Sequence, residues 1–422
     1  MSDTADIGSE GESGLPEARA AAREAEIAVA AEAAFGGPAP QTLKDVAKLL
    51  SLPAWRLRNA LFNDPDERRY ASFEIPKRSG GVRRIDSPRG VIRQGQDRLL
   101  PILTALHRPH PSSHGFLEGR GIVTNAALHA GQRLVLNVDL ADFFPTINFG
   151  RVRGLFRAAP FHMGDAAATV CAQLCTFKNG LPQGAPTSPI LSNYIATGLD
   201  RRLSRLARRN RCRYSRYADD LTFSTNAPAF PVGLCLPVGE SWEGGVAVGP
   251  ELEREIAAAG FAPNPKKARL QSAHVRQAVT GVTVNVSPNV DRRRVRRIRA
   301  MIHAWRKFGL TEAGYAHLRH RAVSDAPGPP ERVFRNTVYG ELAFLKMVRG
   351  DEDPLYRKLA AQLFEIDPNP PKSLRRLVFG ADDFDVFISH ATEDKAAVAR
   401  PIFAACEDLG IKAFLDQEHI GW

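Results

Sequence analysis

At 422 residues the chain has room for two or three domains, by the rough measure of one per 100–200 residues, which excludes a peptide, a lone finger or a small adaptor. Apolar residues make up 44%, charged residues 24% and aromatic residues 8%, a balance that supports a sizeable core and excludes wholesale disorder. Lysine and arginine number 57 against 46 aspartate and glutamate, a net charge of +11, so an extended polyanion is the first partner to expect. The five cysteines (Cys171, Cys175, Cys212, Cys235, Cys406) contain no C-x-x-C pair, which argues against a disulfide framework or a zinc knuckle. With no basic-then-apolar leader and no apolar run near the ~18 residues that span a bilayer, the expectation is a soluble cytoplasmic protein without a membrane partner.

Residues 1–40 carry eight acids against two arginines and read as a mobile acidic tail, with a frayed helix around Glu17–Ala34. Over residues 41–70, Leu43, Val46, Leu49 and Leu50, then Trp55, Leu57 and Leu61, recur at helical spacing and predict two short amphipathic helices split at Pro53. Residues 71–290 mix short β-rich runs (RLVLNVDL, CRYSRY, LTFS, AVTGVTVNV) with helical stretches, an α+β body in which the Gly/Pro-rich stretch 228–250 reads as a surface insertion. Residues 291–366 read as helical. Seven arginines lie between Asp291 and Arg306, with Val295, Ile298, Met301, Ile302 and Trp305 on one face, which predicts a basic amphipathic helix before the break at Pro327–Pro330. DPNPPKS opens a linker over 367–381, and from Asp383 the run FDVFIS reads as a buried strand, with a helix opening near Thr392.

Three segments carry chemistry when taken together. LVLNVDLADFFPTI delivers Asp139 near the end of an apolar strand, which alone reads as a strand cap. RYADDLTFS sets Asp219 and Asp220 side by side where two β-like runs meet; adjacent carboxylates repel and need solvent or a cation. NGLPQGAPTSPILSNYIATGLDRRL is a Gly/Pro-rich loop followed by Ser188-Pro189, a helix start, with apolar Ile190, Leu191, Ile195 and Leu199. Together they suit nucleotidyl transfer, which uses two Mg²⁺ ions about 3.5–4 Å apart, held by a few carboxylates and the substrate phosphates.

These segments resemble the palm motifs of reverse transcriptases. Tyr217-Ala218-Asp219-Asp220 resembles the Y-x-D-D box, Asp139 matches the first metal-binding aspartate, and Leu181-Pro182-Gln183-Gly184 resembles the loop over template and incoming nucleotide. The resemblance implies a right-hand polymerase fold of fingers, palm with antiparallel sheet and helical thumb. It also implies Asp139, Asp219 and Asp220 as catalytic metal ligands for two Mg²⁺, with deoxynucleoside triphosphates as substrates. FEIPKRSGGVRRIDSPRGVIRQGQDRLL resembles the fingers hairpin, which implies Lys77 and Arg83 as triphosphate contacts, with Arg84 the alternate register. Phe144, five residues after Asp139, takes the position of the ring that excludes a 2′-hydroxyl, Gln183 that of a nucleotide contact, and Phe143 reads as core. GFAPNPKKARLQ resembles the segment after the catalytic hairpin, with Lys266 or Lys267 near the leaving pyrophosphate.

Two further segments narrow the resemblance. Asn125-Ala126-Ala127-Leu128-His129 resembles the N-A-x-x-H segment of retron reverse transcriptases, and Val279-Thr280-Gly281 their V-T-G. On a helix Asn125 and His129 project from one face, where both can hydrogen-bond RNA. The resemblance implies priming from a guanosine 2′-hydroxyl of a cognate structured noncoding RNA and a branched RNA-linked DNA product. It also implies antiphage defence, template removal by a host ribonuclease H, and RNA contacts from Arg292, Arg293, Arg296 and Arg297 in the thumb. Residues 382–422 resemble the opening of a TIR domain, the start of a flavodoxin-like α/β layer; a complete one would bring NAD and oligomerisation, but no NAD-cleaving residue is assignable in this stretch. The rival readings are a group II intron-like or diversity-generating reverse transcriptase, and a non-catalytic RNA-binding sensor controlling the TIR effector.

Overall fold

A computed structural model describes residues 14–76, 81–238, 245–321, 328–368, 370–379, 386–388 and 413–415. Two compact units divide the chain, residues 1–275 and 276–422.

The first unit opens with helix α1 (Gly14–Phe35), then α2 (Leu43–Leu49) and α3 (Ala54–Phe62). Thr42 and Asp45 form a reciprocal capping box at α2, and Pro53 stands before α3, where its missing N–H costs the helix nothing. The pair predicted across Pro53 is therefore present, with Val46, Leu50, Leu57 and Leu61 in the core. The helix expected around Glu17–Ala34 is present as α1, but its end is anchored rather than a free tail: Ala31 is buried in the core with Ala30, Ala34 and Phe35 packed beside it.

After α4 (Asp66–Arg69), strands β1 (Tyr70–Pro76) and β2 (Val82–Pro88) form an antiparallel hairpin whose outer half is exposed, in the segment that resembles a fingers hairpin. Lys77 at its turn lies outside the described residues. Helices α5 (Gly90–Leu106) and α6 (Ile122–Ala127) lead to β3 (Leu134–Asp139), and α7 (Phe143–Thr146), α8 (Phe149–Arg157) and α9 (Asp165–Cys175) follow. The long α10 (Ser188–Arg209) then precedes β4 (Arg213–Tyr217) and β5 (Asp220–Thr225). Short β6 (Cys235–Pro237) and β7 (Val246–Val248), α11 (Pro250–Ala258) and β8 (Arg269–Ser272) complete the unit. The stretch read as a surface insertion contributes to the core through Phe230, Leu234 and Cys235.

The central sheet is antiparallel with strand order β4-β5-β3-β8, and Asp139 stands opposite Asp220 in register. Alternation gives the sheet two unlike faces. Leu136, Val138, Tyr214, Leu221 and Phe223 share one face and join the core with α10, while Asp139, Asn137, Thr222 and Asp220 share the other.

In the second unit β9 (Ala278–Val279) and β10 (Val282–Thr283) are joined by Thr280 and Gly281, both with positive φ (47° and 83°). The V-T-G segment is thus a two-residue hairpin turn that needs its glycine. Helix α12 (Arg292–Arg321) kinks at Gly309 and packs on α13 (Pro330–Arg349), burying Val295, Ile298, Met301, Ile302 and Trp305, as their spacing predicted. α14 (Pro354–Ile366) follows. The expected linker instead holds α15 (Lys372–Phe379), with Leu374 and Val378 buried, and Asp367 accepts hydrogen bonds from Arg335 (2.9 Å) and Tyr339 (3.1 Å). β11 (Val386–Ile388) and β12 (Ala413–Leu415) pair in parallel; the helix expected near Thr392 lies outside the described residues. Among the described residues no helix is long and apolar enough to cross a membrane.

Candidate active site

The aspartates meet because two strand ends do. Register places Asp139 opposite Asp220, and the Leu140 N–H donates to the Asp219 carbonyl at 3.0 Å, binding the end of β3 to the turn between β4 and β5. Ala218 in that turn has φ 55°, which swings the chain so that Asp219 leaves the strand. From the other side the Asn264 N–H donates to the Asp139 carbonyl at 2.7 Å, and Lys267 Nζ lies 2.8 Å from Asp139 Oδ2. Of the two candidate lysines it is Lys267 that reaches the carboxylates; Lys266 is exposed, its backbone N–H turned to Asn264 Oδ1.

Crowding of negative charge marks this corner. Asp220 is open to solvent on one side, yet partial desolvation, followed by the charges of Asp219 and Asp139, pushes it up to about 7. Asp219 is raised as well, first by desolvation and then by Asp139, with Lys267 and Arg83 opposing. Lys267 is raised in turn by its hydrogen bond to Asp139. Hard carboxylate oxygens crowded together with little countercharge fit Mg²⁺. Among the described residues no three His, Cys, Asp or Glu side chains close on one point as a ready metal cage.

The walls come from three segments. The Asp86 N–H donates to the Gln183 carbonyl at 2.7 Å, docking the fingers hairpin on the Leu181–Gly184 loop. Gly184 has φ 116°, and a Cβ there would sit 2.8 Å from Ile85, so only glycine allows this approach. Arg83 and Arg84 point to different tasks: Arg84 is held by Asp86 Oδ1 at 2.9 Å and by Ser72, whereas the Arg83 charge acts on Asp219. The Phe144 ring is half-buried, 5.4 Å from buried Phe143 and 6.2 Å from Phe116, which in turn lies 6.5 Å from Tyr217. A ring held between two other rings has little room to move aside.

Asn125 and His129 are not at this surface. Both are fully buried: His129 lies 2.7 Å from the Ser224 and Ser215 hydroxyls, and Ser215 Oγ donates to Asn125 Oδ1 at 2.6 Å. Ser215 and Ser224 lie on the same sheet face as the aspartates, so this segment roofs the distal part of that face. Burial, followed by the charges of Arg213 and His114, holds His129 down to about 3, a neutral ring. The expected RNA contact is therefore replaced by a packing role, because two strand serines satisfy the imidazole inside the fold. In the second unit Arg292, Arg293 and Arg296 are exposed, but Arg297 pairs with Glu341, as does Arg294, so its charge is already partnered.

One buried group escaped the sequence reading. Arg216, fully inaccessible, faces the core and forms an ion pair with equally buried Asp200 of α10 at 2.7 Å. It also donates to the Ala218 carbonyl (3.1 Å), Ser113 Oγ (3.0 Å) and Asn193 Oδ1 (3.2 Å), while Asn193 donates to the Gly115 carbonyl at 2.9 Å. This network anchors the turn that carries Asp219. Gly115 packs so tightly that a Cβ would lie 2.6 Å from the Ala218 nitrogen. The available signal was a pair of opposite charges at core-facing positions of adjacent elements.

A family model for reverse transcriptase (RNA-dependent DNA polymerase) matches residues 75–284. The chain is 39% identical over 306 residues to the retron Mx65 reverse transcriptase of Myxococcus xanthus, covering 68% of each chain. It is 35% identical over 297 residues to the retron Mx162 reverse transcriptase of the same organism, covering 62% of this chain and 58% of the relative. With the retron Ec86 reverse transcriptase of Escherichia coli it shares 30% identity over 272 residues, 64% of this chain and 79% of the relative. Among solved structures, an apo telomerase from Candida tropicalis aligns at TM-score 0.35 and 13% identity over 54% of this chain and 56% of its own.

Proposed function

The chain belongs to the retron reverse transcriptases and is an RNA-directed DNA polymerase, and from that premise we propose that it copies part of a cognate structured noncoding RNA after priming from a guanosine 2′-hydroxyl in that RNA. The observation that carries the catalytic reading is the meeting of Asp139, Asp219 and Asp220 at one end of the sheet, with the cations of Lys267 and Arg83 beside them. Asp139, Asp219 and Asp220 would hold the magnesium ions. When bound, these ions supply charge that activates the attacking hydroxyl and steadies the leaving pyrophosphate.

The chain's own groups do the positioning. Arg83, free of the ion pair that holds Arg84, meets the triphosphate; Lys267 is placed to exchange its Asp139 contact for the leaving phosphates. The Gln183 backbone holds the fingers to the loop over the nucleotide, and Phe144 occupies the volume a 2′-hydroxyl would need. The product is a branched RNA–DNA molecule, and exposed Arg292, Arg293 and Arg296 suit the phosphate backbone of RNA or hybrid. For residues 382–422, the parallel pairing of β11 with β12 supports the start of a TIR-type α/β layer, an effector in phage defence. Incubating the chain with its neighbouring noncoding RNA, Mg²⁺ and deoxynucleotides, then treating the DNA with a 2′,5′-debranching enzyme, tests the priming. A mobility shift on debranching is expected, and product that is linear throughout would refute it.

A further inference from the structure

At the end of α10 remote from the catalytic loop, arginines gather without partners. Arg201, Arg205 and Arg208 recur at helical spacing on one face of α10 and are exposed. With a rise of about 1.5 Å per residue they span roughly 10 Å of helix. Arg209 and Arg211 are exposed beside them, and among the described residues none of these five forms an ion pair; Arg202 alone on this stretch is matched, by Glu255 at 3.2 Å. Arg201, Arg205, Arg208 and Arg213 line a cavity of about 660 Å³ together with His110 and Ser204, and Arg205 and Arg208 also border a second of about 460 Å³. Burial foremost lowers the affinity of His110 for a proton, with Asp200 opposing and the charges of Arg201, Arg216 and Arg208 adding to the fall.

This surface is separate from the active site. α10 begins at Ser188, whose hydroxyl donates to the Pro182 carbonyl of the nucleotide loop, and Arg205 lies 17 residues further on, about 25 Å along the helix. A cluster of unpaired cations repels itself and gains most from a polyanion whose charges repeat at short intervals. The cavity also holds a hydroxyl pair, Ser112 with Ser204 at 3.1 Å, which can exchange a proton donor or acceptor with a ribose 2′-hydroxyl. We propose that the arginine face of α10 and the cavity beside it form a second RNA-binding surface, which takes the phosphodiester backbone of a folded RNA stem outside the catalytic cleft.

The test uses the full chain carrying Arg201→Gln, Arg205→Gln and Arg208→Gln together, and a fluorescein-labelled RNA hairpin with a 16-base-pair stem. Anisotropy titrations from 50 to 400 mM KCl should show at least a tenfold loss of affinity at 150 mM. The salt slope should fall by about 2–3, since each phosphate contact contributes about 0.7–0.9. Extension of a short DNA primer on an unstructured RNA template should be unchanged, which separates this surface from the polymerase reading itself. A control lacking Arg56, Arg58 and Arg68 should keep most of the slope, and restoring lysine at 201, 205 and 208 should recover most of it. An unchanged affinity and slope would overturn the proposal, as would a parallel loss of primer extension in a folded variant. Equal binding of a DNA hairpin of the same stem sequence, or equal displacement by an oligoglutamate peptide, would overturn the RNA assignment.

Discussion

Replacing Arg216 by methionine should destabilise the first unit more than any exposed arginine change. The substitution keeps the apolar stem but removes five donated hydrogen bonds, two of them to Asp200, and strands that carboxylate where solvent does not reach. Among the described residues the Tyr214 hydroxyl, 2.8 Å away, would still serve Asp200. Breaking a buried pair in this way costs about 3–5 kcal/mol, because the orphaned charge keeps its desolvation penalty and loses its partner. For a unit of this size that corresponds to a fall in Tm of roughly 10 °C. Urea and thermal unfolding followed by circular dichroism measure it. Adding Asp200→Leu should restore part of the loss, since it removes the stranded charge. A loss below about 1 kcal/mol for Arg216→Met, or a double variant worse than the sum of the two singles, would refute the argument.

The other expectations concern the site and its pH behaviour. Asp219→Asn should reduce DNA synthesis by about 10²–10³-fold without unfolding the chain, the scale of losing one preorganised charge at a transition state; retained synthesis in primer extension would contradict the site. Arg83→Ala should raise the KM for deoxynucleotides far more than Arg84→Ala, because Arg84 is already committed to Asp86; equal effects would mean that the two share the triphosphate. Phe144→Ala should relax discrimination against ribonucleotides by roughly 10- to 100-fold, read from competitive incorporation. An unfolded histidine titrates near 6.5, whereas in the fold His129 is held to about 3 and His107 and His114 to about 4, all chiefly by burial. Their contribution is complete above pH 6.5 and is lost as pH falls toward 3, by up to about 1.4 kcal/mol per pH unit and group. Asp220, raised to about 7, works in the opposite sense, its contribution present at low pH and lost as pH rises through 7. His129→Gln should therefore flatten the acid limb of the stability profile by one proton; an unchanged slope would remove His129 from the account.

Some of this was readable from residue order. The alternation in LVLNVD and the run RYADDLTFS define strands that end in carboxylates, and Pro53 divides two helices because it can start a helix but not continue one. The arginines of α12 alternate with Val295, Ile298, Met301, Ile302 and Trp305, so helical periodicity alone assigns their faces. Elsewhere local pattern misled. Asn125 and His129 have the spacing of an exposed pair on a helix face but are buried, and only the serines on two strands some 90 residues away supply partners that make burial tolerable. The Pro-rich run after Ile366 has the composition of a linker yet carries a helix, because Leu374 and Val378 find cover.

Residue order alone singles out the carboxylates Asp139, Asp219 and Asp220, the ring of Phe144 and the excess of positive charge. Tertiary structure decided which of those charges are available. Arg216, Arg294 and Arg297 are spent on Asp200 and Glu341, Arg84 on Asp86, and Lys267 rather than Lys266 reaches Asp139, while Arg201, Arg205 and Arg208 form no ion pair among the described residues. The physical reason is that a side chain's charge is fixed by its type, but whether that charge faces a ligand or a partner depends on what non-local packing sets within about 3 Å of it.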